Sequence, residues 1–230
     1  MKGIYGLTGP SMSKNNFSIT SLIVLLSARL TKNGFTEPKD IFSGERGFWR
    51  MISTNYCDLD EILSKTLDKE YKILDVAFKP YSCCRLIHSS IDAVLNAASE
   101  DNIKFNNIKA ILVKTISPLP RQPFSTSVSM STIESEAQFN GPYTIACALR
   151  NIRPLEWYGN RNFLDVSLME LNKKINFKVS HSAAMVFQRG VGKIQATAII
   201  YTKQGKKYSN QVEAPKGDPR NPIVKEDKKI

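Results

Sequence analysis

Apolar positions along the chain change period from start to end. The first half repeats at helical spacing, and the last third alternates in short runs. Leu22, Ile23, Leu26 and Leu30 share one face; Ser18 can cap them and Gly34 closes the segment, which predicts a helix over residues 18–32. Residues 48–53 read as a short helix, and Asp58 can cap another through Leu63 and Leu67. Residues 73–78 alternate and stop before Pro80, which predicts a strand. The strongest helix runs over residues 84–99, where Ile87, Ile91, Val94, Leu95 and Ala98 fall on one face. Residues 108–116 are β-rich. Pro118, Pro120 and Pro123 then open a Ser/Thr-rich loop, residues 118–135. Such a loop can close over a ligand or serve as a solvated linker. Residues 136–149 and 163–171 read as helices. Residues 194–202 and 207–212 flank Gln204-Gly205 and predict a β-hairpin. The tail after Pro215 carries Gly217, Pro219 and Pro222 and reads as extended. No internal repeat is visible, and the class is α+β.

The hydrophobic fraction, 42% of 230 residues, is enough for a packed core and excludes a largely disordered chain. The net charge of +11 raises the question of nucleic acid. The lysines, however, are scattered from Lys2 to Lys229 with no dense block. The clusters at Lys203 to Lys207 and Lys225 to Lys229 are interrupted and carry no interleaved aromatics. No nucleic-acid partner is expected, and a basic surface suits the steering of an anionic metabolite. Cys57, Cys83, Cys84 and Cys147 do not form a disulfide framework, so free thiols in a cytoplasmic protein are expected. The apolar run at residues 22–26 is too short to span a bilayer, and no membrane partner is expected.

One segment concentrates chemistry: Phe78-Lys79-Pro80-Tyr81-Ser82-Cys83-Cys84-Arg85-Leu86-Ile87-His88. Pro80 forces Lys79 out of the helical region, and a helix opens near Ser82 or Cys83. Its unpaired N–H groups and positive dipole end lie between Lys79 and Arg85, with His88 one turn in on the side of Cys84. Those features make a cradle for a carboxylate or phosphate. A thiol at a helix start is expected to have a lowered pKa. The alternative reading makes the two cysteines small apolar fillers and His88 a satisfied core histidine. Cys84 and His88 form a C-x3-H pair without a second pair, so no metal is expected. Neither a nucleotide-binding nor an iron–sulfur motif occurs, and no cofactor is expected.

The string FKPYSCCRLIHSSIDA is similar to the signature of the MmgE/PrpD family, which contains 2-methylcitrate dehydratase of propionate metabolism and cis-aconitate decarboxylase. Three further strings follow the family's order: GFTEPKDIFSGERGFWR, SEAQFNGPYTIACAL and PKGDPRNPI. The resemblance implies an all-α domain plus an α+β lid. Residues 1–70 would be the last helices of the first, incomplete without its earlier half. Residues 71–190 would be the lid, and residues 191–230 a β-hairpin and C-terminal tail. Leaving out the earlier helices would expose the apolar face at residues 22–30 and make the chain dependent on a partner. The resemblance also implies an active site between the domains. Lys79 matches a lysine that faces substrate there, and Cys84 stands where a histidine would be. His88 fits the FKPYxCCRxxH pattern, and Tyr143 matches a tyrosine lining the site. Lys14 matches a second lysine, in a segment where Phe17 and Ile19 replace the family's histidine and glycine.

The implied activity is a cofactor-independent lyase that dehydrates or decarboxylates a small polycarboxylic acid. Lys79, Arg85, Cys83 and Lys14 are the expected substrate-binding residues. Lys79, Cys84, His88 and Tyr143 are the expected catalytic residues, His88 and Tyr143 for proton transfer. An epimerase of an iminodisuccinate-like acid, using a thiol as acid and base, is a second reading; a non-catalytic truncated or split-gene product is a third. The expected partners are the substrate and either a second copy, as a homodimer, or a chain supplying the helical half.

Overall fold

The computed structural model describes residues 12–36, 41, 47–48, 51, 71–116, 128, 134–188 and 193–224. The Asp58 helix, most of residues 48–53 and most of the 118–135 loop lie outside them. The chain divides into two compact units, Ser11–Asp75 and a larger one from Val76 onward.

In the first unit, α1 spans Met12–Lys32. It starts before Ser18 because nothing between Met12 and Ser18 breaks a helix. Gly34 ends it at φ 89°, letting the Phe35 N–H reach the Leu30 carbonyl at 3.1 Å. Leu22, Ile23, Leu25 and Leu26 are all exposed. The strand expected at residues 73–78 does not form. Lys72–Asp75 is a 3-10 turn instead, and Ile73, Leu74, Val76 and Phe78 are each more than half exposed. Alternation sets a strand's register only where one face is buried, and here neither is.

In the second unit, α2 (Arg85–Ser99) precedes β1 (Ile108–Thr115). Four short helices follow: α3 (Glu134–Ala137), α4 (Gly141–Leu149), α5 (Asn160–Phe163) and α6 (Val166–Lys173). Then come β2 (Ile175–Val179), α7 (His181–Gln188), β3 (Ala196–Thr202) and β4 (Lys207–Val212). The strands form one sheet in the order β2-β1-β3-β4. β2 is parallel to β1, and β3 is antiparallel to both β1 and β4. Ile111 faces Ile175 on one side and Ile200 on the other, which sets the buried rows. α2 lies on β3 and β4, and α4 and α6 pack against each other and against β2. The core is Ile87, Ile91 and Val94 of α2, Ile111 and Val113 of β1, and Ala198 and Ile200 of β3. The architecture is α+β with a C-terminal hairpin, and that hairpin belongs to the same sheet as β1.

Two expected helices are each broken in two. Residues 136–149 divide at Asn140, whose side chain accepts the Tyr143 N–H at 2.8 Å and starts α4; Pro142 then has no N–H to leave unpaired. Residues 163–171 divide at Asp165, which accepts the Leu168 N–H at 3.0 Å. The tail is not extended. It folds into a turn at residues 215–221, with Asp218 N–H bonded to the Pro215 carbonyl and Gly217 N–H to the Asn221 carbonyl. Gly217 sits at φ 85° and accepts the Phe78 N–H at 2.8 Å.

A Cβ at residue 217 would lie 2.4 Å from the Phe78 carbonyl oxygen, whereas one at residue 205, also at positive φ, meets nothing. Gly217→Ala should therefore lower stability well beyond the ~1 kcal/mol expected of Gly205→Ala. Urea denaturation of the two variants measures the difference.

Candidate functional site

The site begins where the chain leaves an extended stretch at Lys79, turns at Pro80 and enters α2. Cys83 N–H bonds back to the Tyr81 carbonyl at 2.9 Å, which makes the turn tight. Cys84 occupies the N-cap position in an extended conformation, and its own N–H bonds the Gln138 carbonyl at 2.9 Å. Lys79 is exposed. Its ammonium nonetheless acts on Cys83, Cys84 and His88, lowering the pKa of each, so it stands beside the first turn.

Arg85, the first residue of α2, donates from Nη2 to Asp218 Oδ2 at 2.8 Å. Its Nη1 is buried and has no hydrogen-bond partner. Asp218 also takes Arg220 Nε at 2.7 Å, Arg220 Nη2 at 3.0 Å and the Arg220 N–H at 3.1 Å. Those bonds hold its carboxyl below the usual range.

His88 is fully buried. Loss of water, followed by the neighbouring Lys79 and Arg85 charges, depresses its pKa to about 4, against the opposing pull of the Cys83 and Tyr81 carbonyls. Nε2 lies 3.4 Å from the Cys83 carbonyl oxygen, and Nδ1 is buried without a partner. Because a carbonyl only accepts, Nε2 carries the proton and Nδ1 keeps its lone pair. Tyr81 meets the His88 ring edge-on at 5.2 Å and stacks on Trp157 at 6.1 Å. Its hydroxyl donates to Asp92 Oδ1 at 2.6 Å, and the Lys216 N–H reaches Asp92 Oδ2 at 2.7 Å. Burial still pushes the Asp92 pKa up. A cleft of about 290 Å³ opens beside this network, lined by Tyr81, Asp92, Asn96 and Lys216 among others.

The thiols differ from expectation. Burial pushes both Cys83 and Cys84 up, overriding the Lys79 charge and the helix start; Cys147 is pushed up to about 12. The lowered thiol pKa expected of a helix N-terminus is therefore absent, because Cys83 is almost wholly enclosed and Cys84 half-buried. All three described cysteines are free.

The fold thus gathers Lys79, Cys83, Cys84, Arg85 and His88 around one helix start. Tyr143 lies in α4, fully buried, with its hydroxyl donated to the Trp157 carbonyl and its pKa raised by burial. Lys14 lies in α1, in the other unit, and its side chain is outside the described residues. Sequence reasoning missed Tyr81, Asp92 and Asp218, although Tyr81 and Asp218 stand inside the quoted strings. Among the described residues, no group of three or more His, Cys, Asp or Glu side chains is placed to hold a metal ion. No helix among them is long and apolar enough to cross a membrane.

A sequence model described as the MmgE/PrpD C-terminal domain matches residues 81–229. No curated protein matches the chain.

His88 makes stability depend on pH. Its folded pKa, about 4, lies below its ordinary 6.5, so between those values the unfolded chain binds more protons. Its contribution is fully present above pH 6.5 and lost as pH falls towards 4, on the order of 3 kcal/mol in all. Asp92, shifted upward, acts with the opposite sign. Urea midpoints of wild type and His88→Asn at pH 4, 5, 6 and 7 should therefore diverge in slope, the variant losing the His88 part of the rise with pH.

Proposed function

We propose, from the premise that the chain belongs to the MmgE/PrpD family, that it is a lyase acting on a small polycarboxylic acid of the 2-methylcitrate or cis-aconitate kind. The observation that carries this reading is the exposed Lys79 ammonium beside the first turn of α2, with Arg85 as a second cation on the same turn. Removing water or CO2 from a tricarboxylate builds negative charge next to existing carboxylates, and fixed cations with a helix dipole stabilise it. Lys79 and Arg85 hold carboxylates in this scheme. His88, neutral with its Nδ1 lone pair unpartnered, is the proton-accepting group once ligand reaches it. For dehydration the base removes a carbon-bound proton and the leaving hydroxyl departs as water. For decarboxylation CO2 leaves and the carbanion takes up a proton. Tyr143 acts from beneath, by holding Trp157 under Tyr81.

The raised thiol pKa values weigh against the epimerase reading, which needs Cys83 or Cys84 as a ready thiolate. Exposure of Leu22, Leu25 and Leu26 on α1 supports completion by a second copy or by a chain carrying further helices.

Isothermal titration of the full chain with tricarballylate tests the carboxylate site. Wild type should bind, and Lys79→Met should weaken binding roughly tenfold, the loss of one charge-assisted contact. Product analysis with 2-methylcitrate, cis-aconitate and iminodisuccinate separates lyase from epimerase. Unaltered binding in Lys79→Met would remove Lys79 from the site, and absence of both binding and turnover would reject the reading.

A further inference from the structure

The Arg85 guanidinium is gripped on one side only. Nη2 meets Asp218 Oδ2 at 2.8 Å, while Nη1 is buried and unpartnered. The Asp218 side chain is 6% exposed and that of Arg85 25%. A buried N–H of a cation without an acceptor costs free energy comparable to a lost charged hydrogen bond, so an atom left in that state calls for an acceptor. Charge points the same way. Asp218 is shared by two guanidinium groups, Arg85 and Arg220, so the cluster carries one surplus positive charge, with the Lys79 ammonium close to the same helix turn.

The turn that carries Asp218 is fastened at several points. Lys216 N–H donates to Asp92 of α2, and the Gly217 carbonyl accepts the Phe78 N–H, one residue before Lys79. Asn221 Nδ2 closes the turn onto the Ala214 carbonyl at 3.0 Å. A single turn therefore touches the backbone next to one cation and the side chain of the other.

We infer that residues 215–221 form the positioning element of the polycarboxylate site, with Asp218 as the positioning residue that orients Arg85 so that Nη1 takes a ligand carboxylate oxygen. The inference rests on the reading under Proposed function and adds the regulation of geometry at that site. Asp218 itself does not touch ligand. It clamps the guanidinium plane and is in turn locked by Arg220, which restricts the rotamers Arg85 would otherwise sample.

Removing the Asp218 charge separates this role from mere charge balance, because the two predict opposite signs. If Asp218 only neutralised Arg85, Asp218→Asn would make the site more positive and an anion would bind more tightly. If it positions Arg85, the same change loosens the guanidinium and the anion binds more weakly. Titration of the full chain with tricarballylate should give a dissociation constant roughly tenfold higher for Asp218→Asn. Asp218→Glu, which keeps the charge, should recover part of the loss. Equal or tighter binding by Asp218→Asn overturns the inference while leaving the carboxylate site standing. No binding by wild type overturns both. Should Asp218→Asn fail to fold by circular dichroism, carbon- and nitrogen-detected NMR of the wild-type chain decides. On titration the Arg85 guanidinium signals should shift while the Asp218 carboxyl carbon stays put. Displacement of the Asp218 carboxyl signal by tricarballylate would make Asp218 a competitor of the ligand and overturn the inference.

Discussion

The tie between the start of α2 and the turn at residues 215–221 is the constraint on which the candidate site depends. An ion pair from Arg85 to Asp218, a backbone bond from Phe78 to Gly217 and a backbone bond from Lys216 to Asp92 join segments far apart in the chain. Each is short and mostly shielded from water, where a charge-assisted bond is worth more than at the surface. The long helix alone would start somewhere near Cys84 on its own propensity. What it cannot do alone is hold Lys79 and Arg85 at defined places, because residues 76–79 have no ladder partner and a long cationic side chain has many rotamers.

Burial and charge compete at that helix start, and the outcome differs by residue. Lys79 lies outside and stays an exposed cation. One turn inward, His88 is enclosed by the helix, by Tyr81 and by the carbonyls that precede it, and desolvation wins over any tendency to protonate. Cys83 is likewise enclosed, beneath Tyr158, whose hydroxyl donates to the Ser82 carbonyl. The result is a gradient over one helical turn, from an exposed cation to uncharged groups that can accept or donate a proton. A carboxylate-binding reaction centre wants that order: charge recognition at the mouth, proton transfer in a drier interior.

The elements legible in the sequence are those decided by short-range periodicity. α2 shows five apolar residues on one face, and the β3–β4 hairpin shows two alternating runs around Gln204-Gly205. What the periodicity hid were local breaks and distant partners. Asn140 and Asp165 interrupt apolar patterns that otherwise read as single helices, and their role emerges from capping bonds to Tyr143 and Leu168. Residues 73–78 alternate like a strand, yet alternation says nothing about whether a neighbouring strand exists. β2 is five residues long, too short to stand out. At the site, the segment around Lys79 to His88 was legible because its chemistry is contiguous. Asp218 lies 133 residues from Arg85, and nothing local links them. The enclosure of His88 and the thiols depends on Trp157 and Tyr158, which arrive from another part of the chain.

The order of strands has a consequence for how this unit is made. β1 sits in the middle of the sheet, but its antiparallel neighbour β3 is synthesised some eighty residues later, and β4 and the 215–221 turn later still. Until those residues leave the ribosome, one edge of β1 is open and the underside of α2 has no floor. The domain is therefore completed only when translation is nearly over, and the nascent chain must be shielded from sticking to its neighbours until then.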